Sequence, residues 1–201
     1  MPRVASLRTQ AERTQASAEA LRGALAELIC QQGYAATTVA EIGERAGYSR
    51  AMVRDRYGSK QALLEAFHHD YEERLLGGGE GAASGLDELL GGVDRLTALA
   101  RDHPTALRAI FIVGFEAATS AAESRPLILD WLLRLVDEVE AWLRAGVADG
   151  SLAAGTDVAA EVRRFRNEAI GDAFTWVIGA DAGYERRLLA WRRELEERLA
   201  P

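Results

Sequence analysis

The chain has 201 residues, of which 48% are hydrophobic and 27% are charged, and its net charge is −7 at pH 7. This length suits one good core or two small linked domains, and the acidic balance excludes a general nucleic-acid coat protein. The single cysteine, Cys30, excludes an internal disulfide, and the absence of a signal peptide or long apolar run predicts a cytoplasmic protein without membrane contact.

The first predicted elements are a mobile N-terminal arm and one helix. Residues 1–15 carry Arg3, Arg8 and Arg13 among polar neighbours, which is typical of a disordered terminus; an arm that enters the minor groove of DNA is the alternative. From about residue 16 to residue 32, apolar residues at helical spacing predict a helix; they are Leu21, Leu25, Leu28 and Ile29.

A second, short helix is predicted by its caps. Thr38 followed by Glu41 forms a capping box, in which each side chain satisfies a free backbone donor at the helix start. Gly47 lies where the chain must turn, because glycine adopts a positive φ without steric cost. Gly43, within the helix, permits close packing against a neighbouring element.

The third helix follows at once, and the fourth begins soon after it. Ser49 caps the third helix, and the spacing of Val53 and Tyr57 turns those two residues inward. Ser59 caps the fourth helix, which is predicted at about 60–76. Two short helices joined by a tight turn are the plan of a helix-turn-helix, whose second helix enters the DNA major groove.

Residues 20–66 resemble the N-terminal domain of TetR-family transcriptional regulators. The matching segments are Gly33-Tyr34, Thr37-Thr38-Val39, Ile42-Gly43, Ala46-Gly47-Tyr48-Ser49, Arg54-Asp55-Arg56-Tyr57 and Ser59-Lys60-Gln61-Ala62-Leu63-Leu64. The chain departs from the family at Arg54, where a tyrosine is usual, and at Arg56, where a histidine is usual. Both changes add positive charge on the side expected to face DNA.

The resemblance implies an all-α protein of about nine helices. In this interpretation residues 1–15 are the mobile arm, residues 16–66 are the helix-turn-helix domain, and residues 67–201 bind an effector and dimerise. Such a protein binds a double-stranded DNA operator and has no cofactor, metal site or enzymatic activity.

By similarity, the DNA contacts lie on the third helix and around it. Arg50, Ala51 and Met52 are the candidates for base edges, since arginine binds guanine and small or apolar side chains meet the thymine methyl. The phosphate candidates are Arg54, Arg56, Lys60 and Thr37, and Thr38 is expected to be a cap with an incidental phosphate contact. An isolated exposed arginine is ordinarily only a solvated charge, so these assignments depend on the cluster.

The distribution of charge along the chain agrees with this interpretation. Residues 1–60 hold nine Arg and Lys against six Asp and Glu, whereas residues 61–201 hold fifteen against twenty-five. A basic end on an acidic body confines DNA contact to the small N-terminal domain.

Five further helices are predicted after the glycine-rich link at 77–85. The fifth contains Leu86–Leu99 and ends near Asp102, the sixth begins at Pro104, and the seventh runs from Pro126 to about Val147. The seventh is apolar on more than one side, so we expect neighbours on several of its faces. The eighth and ninth helices are predicted at about 158–178 and 184–199.

Aromatic residues in the middle helices indicate a pocket for a largely apolar small molecule of unknown identity, although aromatics at helical spacing are more often core. The candidate ligand-binding residues are Arg108, Phe111, Phe115, Trp131, Phe174 and Trp176. Glu116 is a further polar candidate. His68 and His69 do not predict a metal site, because adjacent residues point to different helix faces and no further ligand completes a set.

The last two helices are the predicted homodimer interface, as the resemblance implies. The candidate contacts are Phe165, Leu188, Trp191 and Leu195, whose alternative role is the core of a single chain. The overall prediction is a ligand-relieved repressor that binds a palindromic operator as a homodimer. The alternatives are a small-molecule sensor and a weakly specific architectural DNA-binding protein.

Overall fold

Nine α-helices and one 3-10 turn make up the secondary structure of the described residues, 10–77, 82–179 and 183–201 of a computed structural model. In chain order they are α1 (Gln10–Gln32), α2 (Val39–Ala46), α3 (Arg50–Tyr57), α4 (Lys60–Leu76), α5 (Gly85–Asp102), α6 (Pro104–Glu116), the turn Ala122–Ser124, α7 (Arg125–Asp149), α8 (Val158–Val177) and α9 (Tyr184–Leu199). The predicted all-α fold is confirmed. None of these described helices is long and apolar enough to cross a membrane.

The N-terminal helix is longer than predicted. α1 begins at Gln10 rather than near residue 16, so residues 10–15 of the predicted arm are helical. Apolar periodicity locates only the buried part of a helix, whereas good helix formers such as Ala, Gln and Arg extend it beyond that part. The remainder of the predicted arm, residues 1–9, lies outside the described residues.

Two hydrophobic cores lie on either side of α4. The N-terminal core joins α1, α2, α3 and α4 and also takes in Ala109 and Val113 of α6. The second core joins α5, α7, α8 and α9. Tyr71 of α4 packs against both cores. The predicted domain boundary between residues 66 and 67 therefore falls inside a continuous helix, and α4 and α6 connect the N-terminal core to the second core.

The seventh helix is not surrounded along its whole length. Val139, Trp142 and Leu143 in its C-terminal half are buried, but Leu129 and Leu133 near its start are 52% and 62% exposed. The first half of α7 packs against the N-terminal core through Leu127 and Ile128 but leaves the side of Leu129 and Leu133 uncovered, so the expectation of neighbours on several faces holds there only in part. A helix that is apolar on more than one side signals burial against any partner, including one outside the single chain.

Candidate nucleic-acid interface and ligand cavity

The turn between α2 and α3 is built from local contacts that the sequence specifies. Glu41 N donates to Thr38 Oγ1 at 3.3 Å, and Thr38 N donates to Glu41 Oε2 at 2.8 Å, so the predicted capping box is confirmed. Gly47 has a φ of 78°, in the left-handed region that glycine adopts without strain. The turn ends α2 and redirects the chain into α3, where Ser49 Oγ accepts from Met52 N.

Close packing at Gly43 sets the position of α3 against α2. A Cβ added at Gly43 would lie 2.8 Å from Tyr48 O and 3.3 Å from Val53 Cγ2. Val53 is 1% exposed, so it has no room to yield. The prediction that Gly43 permits close packing is confirmed, and the outer side of α3 is presented by a rigid base.

The outer side of α3 carries two unengaged arginines. Arg50, Ala51 and Arg54 are exposed, and neither arginine makes a side-chain hydrogen bond or ion pair with the described part of the chain. Residues four apart lie on the same side of a helix, so both guanidinium groups extend from one surface. Met52, the third base-edge candidate, is half-buried against the N-terminal core. Arg50 and Arg54 are therefore the main chemical feature of this surface.

The phosphate candidates Arg56 and Lys60 both have side chains that are engaged within the chain, and their phosphate contacts stay predictions. Arg56 donates to Ser17 Oγ at 2.6 Å and to Thr14 O at 2.7 Å, which fastens α3 to α1. Lys60 Nζ donates at 2.9 Å to the carbonyl oxygens of both Tyr34 and Thr37. Burial lowers the pKa of the Lys60 ammonium. Long basic side chains that reach back to carbonyl groups support the fold rather than extend from it.

The two threonines differ in exposure. Thr37 is 2% exposed, and its Oγ1 donates to Gly33 O at 2.7 Å, so its hydroxyl is engaged within the chain and its phosphate contact stays a prediction. Thr38 is exposed and its hydroxyl contacts the Glu41 carboxylate at 2.7 Å. The role of Thr38 as a cap is therefore confirmed, and its incidental phosphate contact stays a prediction.

Glu116 at the end of α6 contacts the loop between α1 and α2. Its Oε2 accepts from Tyr34 N at 2.7 Å and from Ala35 N at 3.4 Å. The same loop is held by Lys60 at the start of α4. Glu116 was a candidate for the ligand pocket, but this contact makes it a bond between the body and the DNA-binding domain.

A cavity of about 60 Å³ lies among α4, α5, α6, α7 and α8. Its walls are almost entirely aliphatic and aromatic, and its polar side chains are His68, Tyr71 and Glu72 of α4. Two of the predicted ligand-binding residues, Phe111 and Trp131, line it. Trp142 and Phe165, two further members of the aromatic cluster that the sequence places in the middle helices, also line it.

The other four predicted ligand-binding residues lie away from this cavity. Arg108 donates to Val177 O at 2.6 Å, which ties α6 to the end of α8. The Trp176 ring stacks on Tyr184 with the ring centroids 4.5 Å apart. Phe115 and Phe174 contact each other edge to face, with centroids 5.5 Å apart. These residues join helices and do not form the cavity wall.

His68 is the unusual residue of the cavity. It is 1% exposed, and neither ring nitrogen has a hydrogen-bond partner within the described part of the chain. Its ring meets Trp131 edge to face, with centroids 5.5 Å apart. Burial lowers the pKa of His68 to about 4, although the nearby Glu72 carboxylate opposes that change. His68 is therefore a neutral, buried polar group.

The predicted dimer contacts are not at the surface of the single chain. Phe165, Leu188, Trp191 and Leu195 are between 0% and 7% exposed and belong to the second core. The Trp191 indole N–H also donates to Glu168 Oε2 at 2.6 Å. The apolar stripes on α8 and α9 turn these residues toward the chain's own core, so they have no surface to offer a partner.

Other large apolar side chains are exposed instead. Those at least 40% exposed are Leu129, Leu133, Ile170, Phe174, Ile178 and Leu189. Ile170, Phe174 and Ile178 follow one another at intervals of four, so they form a single row on α8. The sequence contains this signal, but the more continuous stripe on the opposite side of the helix obscured it.

The sequence profile described as "Bacterial regulatory proteins, tetR family" matches residues 21–67. This range begins inside α1, ends inside α4 and contains the whole helix-turn-helix. No curated protein sequence matches the chain.

Solved structures share the fold along most of the chain. TylP, a TetR regulator from Streptomyces fradiae, has a TM-score of 0.75 and 21% identity, covering 94% of this chain and 89% of its own. A TetR-family regulator from Agrobacterium tumefaciens has a TM-score of 0.74 and 18% identity, covering 93% and 99%. The fatty acid degradation regulator FadR from Bacillus halodurans has a TM-score of 0.73 and 17% identity, covering 90% and 94%. At these identities the likeness concerns the fold alone.

Proposed function

Because residues 21–67 form a TetR-family DNA-binding domain on a chain with the fold of TetR regulators, we propose that the protein is a ligand-relieved transcriptional repressor. It binds a palindromic operator as a homodimer and leaves the operator when a small, largely apolar molecule enters the cavity. The match of residues 21–67 to the family profile and the shared fold support a DNA-binding regulator rather than an enzyme. The operator symmetry, the repression and the ligand are the parts that we propose.

The observation that carries this proposal is the pair of unengaged arginines on α3. Arg50 and Arg54 extend from one side of a short helix that is held by its caps and by Val53 beneath it. The other basic side chains of this region, Arg56 and Lys60, are engaged in holding the fold. An exposed arginine pair on a fixed helix suits bidentate contact with guanine or phosphate in the major groove. Ala51 between them leaves room for a base edge.

A homodimer follows from the exposed apolar row on α8. One helix-turn-helix reads few base pairs, and a two-fold dimer reads two half-sites in one site. Ile170, Phe174 and Ile178 present apolar surface that a second copy of the same helix would cover, since a two-fold interface pairs a surface with itself. The proposed interface is therefore the outer side of α8, opposite the side that Phe165 buries.

The position of the cavity links ligand binding to DNA binding. Its volume of about 60 Å³ is far below the roughly 300 Å³ at which ligand pockets ordinarily begin, so a ligand must move the walls apart. One of those walls is α4, which begins at Lys60 against the loop that precedes the helix-turn-helix. A displacement of α4 changes the separation of the two recognition helices in a dimer, and operator half-sites have a fixed spacing.

Selection of duplexes from a random-sequence pool by the purified full chain tests this function. We expect an enriched sequence with two half-sites related by two-fold symmetry, bound by two protomers at physiological salt. Failure to enrich any sequence would contradict operator reading and favour the architectural alternative. Enrichment of a single half-site bound by one protomer would contradict the homodimer.

A further inference from the structure

Among the polar side chains of the cavity, His68 is the one whose buried polar atoms have no partner within the described residues, and it bears on the chemistry of a ligand. Almost all of the wall is aliphatic or aromatic, and the Glu72 carboxylate near its edge is paired with Arg134 of α7. His68 is 1% exposed and has two nitrogens without partners. Buried polar groups in proteins are nearly always hydrogen-bonded, so an unpaired one beside a cavity indicates a partner that the chain does not supply.

The protonation state of His68 limits which chemical groups can be its hydrogen-bond partner. Burial lowers the pKa of its imidazole to about 4, so the ring is neutral near pH 7. A neutral imidazole offers one N–H donor and one bare nitrogen acceptor. A hydroxyl group suits such a ring because it both donates and accepts, whereas a carboxylate favours the charged ring that this apolar setting disfavours.

We propose that His68 is the polar anchor of the effector site and that the effector is an apolar molecule bearing a hydroxyl group that hydrogen-bonds to it. This inference rests on the proposed function, in which the cavity is the effector site. The aliphatic and aromatic walls receive the apolar body of the ligand, with Phe111 and Trp131 among them.

Because His68 lies on α4, a hydrogen bond between the ligand and His68 acts on that helix. His68 lies two helical turns after Lys60, on the helix that also carries Phe67 of the N-terminal core. A ligand held by His68 therefore acts on the element that joins the cavity to the DNA-binding domain. An apolar molecule of the same shape without a hydroxyl fills the cavity but makes no hydrogen bond to His68.

A comparison of 4-butylphenol with butylbenzene, which lacks only the hydroxyl, tests the assignment. Dissociation constants are measured by calorimetry with the full chain for wild type, His68→Phe and the control His69→Phe. His69 is adjacent but its side chain is 70% exposed, so its substitution changes a histidine outside the cavity. The ratio of the two constants is compared between proteins, because the difference in solvation between the two free ligands is the same in each protein and cancels in that comparison.

We expect the preference for the phenol to fall by roughly fivefold or more in His68→Phe, the ordinary net contribution of one hydrogen bond, and to be unchanged in His69→Phe. Equal preferences in all three proteins would overturn the assignment, as would the failure of wild type to bind either compound. If water alone satisfied His68, the substitution would leave the ratio unchanged.

A measurement on wild type keeps the assignment testable should His68→Phe fold poorly. In protein labelled with ¹⁵N at its three histidines, 4-butylphenol should shift the ring nitrogens of His68 and leave those of His69 in place. Butylbenzene should produce no comparable shift, and equal shifts with both compounds would overturn the assignment. Release of the selected DNA duplex is measured on the same samples. If the preference for the phenol depends on His68 but the phenol does not release the duplex, ligand relief is refuted while the His68 anchor remains supported.

Discussion

Replacing Glu116 by alanine should weaken the junction between α6 and the DNA-binding domain. The Glu116 carboxylate accepts a short hydrogen bond from Tyr34 N at 2.7 Å and a long one from Ala35 N at 3.4 Å. Tyr34 is 0% exposed, so its N–H has poor access to water once the carboxylate is gone. The loss of one charge-assisted bond to a buried donor corresponds to about 2 kcal/mol of unfolding free energy.

For a chain of this length that loss lowers the melting temperature by about 4–8 °C. Thermal unfolding of the full chain, followed by circular dichroism, measures it. Glu116→Gln keeps an oxygen acceptor and should lie between wild type and Glu116→Ala. The control is Glu197→Ala, which removes the same charge from an exposed residue of α9. Equal melting temperatures for Glu116→Ala and Glu197→Ala would refute the argument that this carboxylate holds the two parts together.

Three further predictions concern stability, pH and assembly. Lys60→Met should lower the melting temperature, because two hydrogen bonds to the loop at Tyr34 and Thr37 are lost. It should leave the salt dependence of DNA binding unchanged. If the slope of log affinity against log salt concentration fell by about one unit, Lys60 would instead contact a phosphate. The His68 pKa of about 4 lies below its ordinary value of 6.5. As pH falls from 6.5 toward 4, the unfolded chain takes up a proton at this residue before the folded chain does, so wild type loses stability. Urea unfolding at pH 7 and pH 5 should show wild type losing about 2 kcal/mol more than His68→Phe, and equal losses would contradict a buried neutral ring. Phe174→Glu should shift the chain toward the monomer in sedimentation experiments, whereas Ala141→Glu, an exposed site on α7, should not; a dimer unaffected by Phe174→Glu would exclude the outer side of α8 as the interface.

The helix-turn-helix was predictable because its determinants are local. Thr38 and Glu41 cap α2 three residues apart, and Gly47 ends that helix with a positive φ. Such contacts are decided within a few residues, so the sequence contains both partners in adjacent positions. The starts of α4 and α6 follow from the same kind of signal at Ser59 and Pro104.

Which side of a helix faces the core and which faces solvent was harder to predict, because burial depends on elements that are distant in the sequence. The stripe of Phe165 and the outer row of Phe174 share α8, but Phe165 is buried against Trp191 of α9 and Phe174 is exposed. Periodicity shows that an apolar stripe exists but not whether the partner is the same chain or another copy.

The roles of the basic and polar side chains depended on contacts far along the sequence. Arg56 and Arg54 look alike in a list of charges, yet Arg56 reaches Ser17, 39 residues away, while Arg54 extends outward. His68 is buried through contact with Trp131 of α7. Neither burial nor engagement of such groups follows from local spacing, because long side chains choose among partners that only the tertiary fold supplies.

The most direct test of the central claim is the effect of Arg50→Ala/Arg54→Ala on binding to the duplex selected by wild type. The control, Arg101→Ala/Arg144→Ala, removes two exposed arginines outside the DNA-binding domain, from α5 and α7, and changes the net charge equally. Affinity for the selected duplex and for a scrambled duplex is measured at several salt concentrations. We predict that the α3 variant loses roughly tenfold or more of its affinity for the selected duplex together with most of its preference over the scrambled one, while the control retains both. Equal binding by the two variants, with the preference intact, would contradict the claim that the outer side of α3 reads DNA.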